Sequence, residues 1–231
     1  MSDLALLQRD RKKESAELSR VAALNVSQLI LLQSLGNFTR YCIAETCHSL
    51  SNSNLFSSRS AVKLDTFVEA LSHNRDTVVR ELERELMLWF VGKKTHPMTL
   101  ESSGSLSLMD SQASDMEVLK ARMENQLNDY IDFEISDFQQ RWKKVQAEKF
   151  DPNSTIMTPV CQGLFIIEFL RSKNFPQEIT EKLIAKFASG FPTECKKIHA
   201  ELNEAFQAMG LKSGGWEVYN GTQRMAPTQQ I

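Results

Sequence analysis

Apolar residues recur at three- and four-residue steps along most of this chain, which is the spacing of one face of an α-helix. The clearest stripe predicts a helix over residues 64–91; it consists of Leu64, Phe67, Val68, Leu71, Val78, Leu82, Leu86 and Trp89. A second stripe, from Met116 to Val145, predicts a longer helix over about 111–149. A third long helix is predicted over about 3–50, with a break or a cap at Gly36 and Asn37.

Three shorter helices are predicted in the last third of the chain, each beginning at a proline. Pro159 follows the N-cap residue Thr158, and Pro176 and Pro192 are placed at the start of the next two helices. Proline suits the first turn of a helix because its missing N–H would have no partner there. Residues 160–170 are apolar nearly all round and are expected at the centre of their subdomain, and Gly210 is expected to end the last helix.

These elements predict an all-α protein, an irregular helical bundle with three long and three short helices. The turn residues agree with this class, because 9 Gly and 6 Pro in 231 residues are few for a β-sandwich or barrel. We expect three regions: an N-terminal long-helix region over 1–50, a helical bundle domain over 51–211, and a flexible C-terminal tail over 212–231.

Charge and composition argue against several classes of protein. The 27 Lys and Arg residues oppose 29 Asp and Glu residues in interleaved order, so nucleic-acid binding is not expected. The most apolar stretches, 21–35 and 160–170, are shorter than the roughly 18–20 residues that span a bilayer, so no membrane span is expected. The N-terminus has no secretory pattern, which predicts a cytoplasmic protein whose four scattered cysteines are reduced and buried.

Catalytic and metal-binding patterns are not found in this sequence. It contains no glycine-rich phosphate loop, zinc-protease motif or hydrolase elbow. Cys42, Cys47 and His48 are the nearest approach to a metal site, but five residues along a helix turn Cys47 about 140° away from Cys42. Zinc requires ligands that converge, so we expect neither a metal nor another cofactor.

Five polar side chains are candidates for a small-ligand or catalytic site: Asp110, Glu168, His199, Arg141 and Arg171. Asp110 belongs to an acidic group at a helix start, where it would complement the helix dipole. Glu168 lies inside an apolar helix, so it needs a basic partner, an exposed edge or a function. An interhelical contact is the simpler role for His199. Arg141 or Arg171 would recognise a small signalling ligand such as a nucleotide.

The segment LSLMD, residues 106–110, resembles a proteobacterial family of large helical proteins of unknown function, in which an LSLVD-like box precedes an acidic helix. The pieces NSTIMTPVCQGLFIIEFL and IHAELNEAFQAMGL continue the resemblance, which covers about residues 54–211. Members are often several times longer, and here residues 154–156 replace their compact proline turn. The resemblance implies a bacterial helical protein. Some members are described as thymidine phosphorylases, but no phosphate-binding glycine motif supports that activity here.

The hypothesis we favour is a non-enzymatic cytoplasmic adaptor or regulatory protein that binds a protein partner or itself through exposed helix stripes. The interface candidates are Leu29, Leu32, Leu82, Leu86, Trp89 and Phe90. For any one of these residues a core position is the simpler interpretation. The alternative is an enzyme or a protein that binds a small ligand, such as a nucleotide, in a pocket between helices.

Overall fold

The computed structural model describes residues 2–52, 59–90, 118, 121–123, 125–127, 133–146 and 158–211. All regular secondary structure in these residues is α-helical, which confirms the predicted all-α bundle. The helices are α1 (Ser2–Asn52), α2 (Arg59–Phe90), α3 (Phe133–Gln146), α4 (Pro159–Arg171) and α5 (Gln177–Ala208), and residues 121–123 and 125–127 are helical as well. The tail predicted over 212–231 lies outside the described residues.

The chain divides into two compact units. The first contains Met1–Ser27, Ile131–Phe150 and His199–Ile231, and the second contains Gln28–Tyr130 and Asp151–Ile198. Helices α1 and α5 therefore each contribute residues to both units. The predicted regions 1–50, 51–211 and 212–231 stay a prediction.

An aromatic cluster forms the core of the first unit. Phe138 and Trp142 on α3 face Phe206 on α5, with ring centroids 5.5 and 6.2 Å from that of Phe206. The spacing of four residues places both α3 rings on one helix face. Burial of Ile135 and Val145 continues the same stripe. The apolar pattern predicted for this part of the chain is therefore confirmed.

Helix α5 ends at a glycine, as predicted. Gly210 has φ 76°, a conformation that costs glycine little because it has no Cβ. Its N–H donates to the carbonyl of Gln207 and the N–H of Leu211 donates to that of Phe206, each at 2.9 Å. This pair of bonds is the Schellman arrangement. The carbonyl of Leu211 then accepts a hydrogen bond from Nη1 of Arg141 at 2.5 Å, which ties the end of α5 to α3.

Helices α1 and α2 run antiparallel in the second unit. Nε of Arg40 donates to Oδ1 of Asp76 at 2.8 Å, and Sγ of Cys47 contacts the carbonyl of Val68 at 3.7 Å. Later residues of α1 therefore contact earlier residues of α2. The arginine also holds Asp76 in its charged form, since its hydrogen bond lowers the pKa of that carboxyl.

Gly36 and Asn37 neither break nor cap α1, so the interruption predicted there is wrong. The helix continues because Gly36 provides room for α2: a Cβ at this position would lie 2.8 Å from Oε1 of Glu83 and 3.3 Å from Val79. Glycine inside a helix is destabilising by about 1 kcal/mol, and the close packing of α1 against α2 offsets this loss.

Helix α4 is buried on nearly every side, as its all-round apolar sequence predicts. The ring of Phe165 stacks on Trp89 of α2 with centroids 4.7 Å apart. Gly163 lies against Met123 and against the ring of Phe191 on α5, where a Cβ would come within 2.9 Å of that ring. The helix therefore forms the centre of the second unit.

Pro192 does not begin a helix, contrary to prediction, because α5 runs unbroken from Gln177 to Ala208. A proline inside a helix lacks the N–H that would bond to Ala188 and costs about 3 kcal/mol. One continuous stripe of buried residues offsets this cost; it consists of Ile179, Leu183, Phe187, Phe191, Cys195, Ile198, Leu202 and Phe206. Burial on both sides of the proline decides the continuity of the helix.

Within the described residues, one segment, Val21–Asn52 of α1, is long and apolar enough to cross a bilayer. Its most apolar window has a mean hydropathy of 1.2, and 33% of that window is buried inside the protein. Length and composition of this kind are shared by membrane spans, signal sequences and core helices of soluble proteins. The expectation of no membrane span therefore stays a prediction.

Candidate functional site

The six interface candidates separate into core and surface positions. Leu82 and Leu86 are fully buried, and Trp89 is nearly so, which places all three in the core of the second unit. Leu29 is 63% exposed, and Leu32 and Phe90 are half-buried. Only the last three are accessible to a partner in the described part of the chain.

The register of α1 and α2 brings the accessible candidates together. Leu29 lies seven residues before Gly36, and residues 86–90 lie seven residues after Val79 and Glu83, which face that glycine. Because both helices rise by the same amount per residue, Leu29 is level with the last turn of α2.

Met87 extends this surface, although sequence reasoning did not select it. It follows Glu83 by four residues, so it lies on the same face of α2 as that residue, and it is 41% exposed. We call the four side chains Leu29, Leu32, Met87 and Phe90 the α1–α2 patch. None of them is charged, and residues 21–39 of α1 contain no charged residue at all. The four side chains of the patch are therefore uncharged, and Glu83 lies one turn away from Met87 on the same face of α2.

Arg141 belongs to a buried ion pair. Its Nε and Nη2 donate to Oδ2 of Asp137 at 3.0 and 2.9 Å, and Nη1 bonds to the carbonyl of Leu211. Each end of the guanidinium is thus occupied by a group of the first unit. Arg141 has a structural position and is not available to a small ligand.

His199 and Glu168 lie in different surroundings. His199 is fully buried in the first unit, where its ring meets Phe138 edge-on with centroids 4.9 Å apart. Glu168, in the second unit, is the only half-exposed residue between Cys161 and Leu170. The contact of His199 with Phe138 joins two helices, as expected, and Glu168 is half-exposed on α4. The three alternatives for Glu168 stay open. Asp110 lies outside the described residues.

A cleft of about 440 Å³ opens on the second unit. One wall is formed by residues 118, 122 and 126, whose spacing of four places them on one helical face. Residues of α5 also line the cleft, and so does Arg171 in the last turn of α4. Among the predicted polar-site residues that the structure describes, Arg171 alone lines it.

Two guanidinium groups line this mostly apolar cleft, Arg171 and Arg122. No described carboxylate lies within 4 Å of either group, in contrast to Arg141 and Arg40. Sequence reasoning missed Arg122, although the four-residue step from Val118 to Arg122 and Gln126 was a usable signal. Arg171 and Arg122 are the functional candidates that the cleft contains.

The four cysteines are buried, as predicted, and none of them forms a disulfide. Burial raises the pKa of Cys42 to about 12 and also raises the pKa values of Cys47 and Cys195. A thiolate nucleophile at these three positions is therefore disfavoured near neutral pH. Within the described residues, no group of three or more His, Cys, Asp or Glu side chains could hold a metal ion.

Comparison with protein-family models, with curated proteins and with solved structures finds no match to this chain. The resemblance of residues 54–211 to a helical proteobacterial family therefore stays a prediction.

Proposed function

We propose that this chain is a non-enzymatic cytoplasmic adaptor or regulatory protein that associates through the α1–α2 patch. The observation that carries the proposal is the exposure of Leu29 and Met87 at the same level of two antiparallel helices. Large apolar side chains on adjacent helices form a surface whose transfer from water into contact with another helix is favourable.

Two further features support a binding role and a cytoplasmic location. Arg141 and His199, the polar candidates in the first unit, are occupied or buried, so they are poorly placed to act on a dissolved substrate. All four cysteines are buried and none forms a disulfide, which suits a reducing compartment.

The partner we propose is a second copy of this chain. A twofold interface places the same patch on both sides, so it works best when the patch has no net charge to repel its own image. The α1–α2 patch meets this condition, since Leu29, Leu32, Met87 and Phe90 are all uncharged. Because the patch comprises four side chains, we expect a weak dimer with a Kd in the micromolar range, roughly 10–100 µM.

Sedimentation velocity over a concentration series tests the proposal. We expect the wild-type chain to pass from monomer to dimer, and L29E and M87E to remain monomeric because a buried carboxylate in the interface is costly. F67E is the matched control, since Phe67 is also an exposed apolar residue of α2, at 50%, but lies level with the opposite end of the α1–α2 pair.

Three results would contradict the proposal. A wild-type chain that is monomeric at 200 µM has no self-association of the expected strength. Equal loss of the dimer in F67E would place the interface elsewhere. Flotation of the wild-type chain with phosphatidylcholine vesicles, lost in L29E, would assign the patch to a membrane surface instead.

A further inference from the structure

The cleft on the second unit is lined by segments that are distant from one another in the sequence. Met123 and Leu127 are buried, so the helical segment that contains them is anchored to the unit. The outward side of the same segment carries Val118, Arg122 and Gln126. Gly163 sets the depth at which Met123 packs, because a side chain at that position would collide with it.

The lining of the cleft combines an apolar wall with two positive charges that have no carboxylate partner among the described residues. Ile184, Ala185 and Ala188 on α5 provide aliphatic surface, and Arg122 and Arg171 provide the two guanidinium groups. An arginine that lies beside apolar surface without a carboxylate partner is a strong donor for a bound anion. This combination fits a ligand that has an apolar body and a negatively charged group.

The charge count of the cleft narrows the class of anion. Glu181 also lines the cleft, and its Oε1 accepts a hydrogen bond from Nε2 of Gln177 at 2.7 Å. Among the described residues that line the cleft, two guanidinium groups and one carboxylate give a net charge of +1, which matches a monoanion better than a phosphate dianion. None of the described lining residues is aromatic, so they offer a nucleotide base no ring on which to stack.

We propose that this cleft binds an organic carboxylate with an aliphatic body, held by Arg122 and Arg171 at its charged end. The cleft volume of about 440 Å³ lies within the range of small-ligand sites, roughly 300–1,000 Å³. The bound carboxylate accepts hydrogen bonds from the two guanidinium groups, and its chain covers Ile184 and Ala188. This binding activity is independent of the association proposed above, because the α1–α2 patch shares no residue with the cleft.

Isothermal titration calorimetry with octanoate tests the proposal on the full-length chain. We expect a Kd near or below about 1 mM for octanoate. Octanol, which lacks the charge, and octylamine, which reverses it, should each bind at least about tenfold more weakly. Equal affinity for octanol and octanoate would show that the guanidinium groups play no part and would overturn the proposal.

Four variants locate the site. R122A and R171A should each weaken octanoate binding about five- to tenfold, since each removes one charge-assisted contact. A185F should weaken it about tenfold or more by filling the cleft, and the exposed position of Ala185 lets the fold accommodate the larger ring. R84A is the matched control: Arg84 is an exposed arginine of α2 that does not line the cleft, and its removal should leave the affinity unchanged.

Two results of these measurements would contradict the proposed carboxylate site. No detectable heat or melting-temperature shift at 5 mM octanoate would refute the proposal. A loss in R84A equal to that in R171A would mean that octanoate responds only to overall positive charge. Sedimentation of the same samples without octanoate keeps this outcome separate from the dimer proposal.

Discussion

The guanidinium of Arg141 donates two hydrogen bonds to a single oxygen of Asp137, from Nε and Nη2 at 3.0 and 2.9 Å from Oδ2. Both side chains are at least nine-tenths buried, and Oδ1 of the same carboxylate has no hydrogen-bond partner in the described part of the chain. The pair is therefore a buried ion pair that spans one helical turn. The main energetic consequence of such a pair is the large penalty for leaving one buried charge without its partner.

Removal of one charge from this pair should strongly destabilise the protein. We expect D137A to lower the free energy of unfolding by about 3–5 kcal/mol, because Arg141 would then be a buried charge without its carboxylate. The double variant D137L/R141M should lie much closer to wild type, since no charge is left buried. Urea denaturation followed by circular dichroism measures both values.

An exposed pair of the same spacing provides the control. Glu178 and Lys182 lie 3.7 Å apart on α5, also at i and i+4. E178A should change the free energy of unfolding by less than about 0.5 kcal/mol, because water screens this pair. If D137A had as small an effect as E178A, the buried pair would not contribute as we describe.

Gln162 should weaken the fold that surrounds it. The residue is fully buried on α4, and neither Oε1 nor Nε2 finds a hydrogen-bond partner among the described residues. We expect Q162L to raise the free energy of unfolding by about 1–2 kcal/mol, because leucine has no polar atoms to desolvate. Thermal unfolding gives the comparison, with Q207L at an exposed position of α5 as control. A lower melting temperature in Q162L would mean that the amide has a partner in solution.

Pro192 should destabilise α5 by more free energy than the burial of its ring contributes. P192A restores an N–H that can bond to the carbonyl of Ala188 and removes the clash of the ring, together about 3 kcal/mol. The loss of about two buried methylene groups offsets roughly half of this. We therefore expect a net gain of about 1 kcal/mol in urea denaturation. P176A, which alters the proline just before α5, should bring no comparable gain, and a destabilised P192A would show that ring packing dominates.

The buried thiols should resist modification in the folded protein. With the pKa of Cys42 raised to about 12, roughly one molecule in ten thousand carries its thiolate at pH 8. We expect Cys42, Cys47 and Cys195 to react with a disulfide reagent far more slowly than a surface thiol, and faster as the pH rises. The variant S49C supplies that surface thiol on α1. In urea all four native cysteines should react at once. Native reaction at the S49C rate would contradict their burial.

The apolar stripes alone were enough to predict most of this fold. Phe138, Trp142 and Val145 are buried because their spacing puts them on one face, whatever the partner. The same stripe reasoning overestimated Phe67, which is half exposed, since α2 turns only part of its apolar side to the core. The spacing of apolar residues predicts which face of a helix is buried. It does not predict how much of that face the neighbouring helices cover.

The sites depended on contacts between distant parts of the chain. Arg141 and Arg171 were equivalent candidates in the sequence, yet one is bound to Asp137 and to the carbonyl of Leu211, 70 residues away, while the other lines a cleft. Met87 became part of the α1–α2 patch only because Gly36 fixes the register of α1 on α2.

The sequence by itself determined that the chain is all-α, that α4 is its most buried helix and that its cysteines are buried, because these follow from local spacing and side-chain polarity. Only the tertiary structure decided that α1 continues through Gly36 and α5 through Pro192. A local penalty of about 1–3 kcal/mol predicts a break in an isolated helix. In the folded chain, the burial of apolar residues on both sides of each position exceeds that penalty, so the helices remain whole.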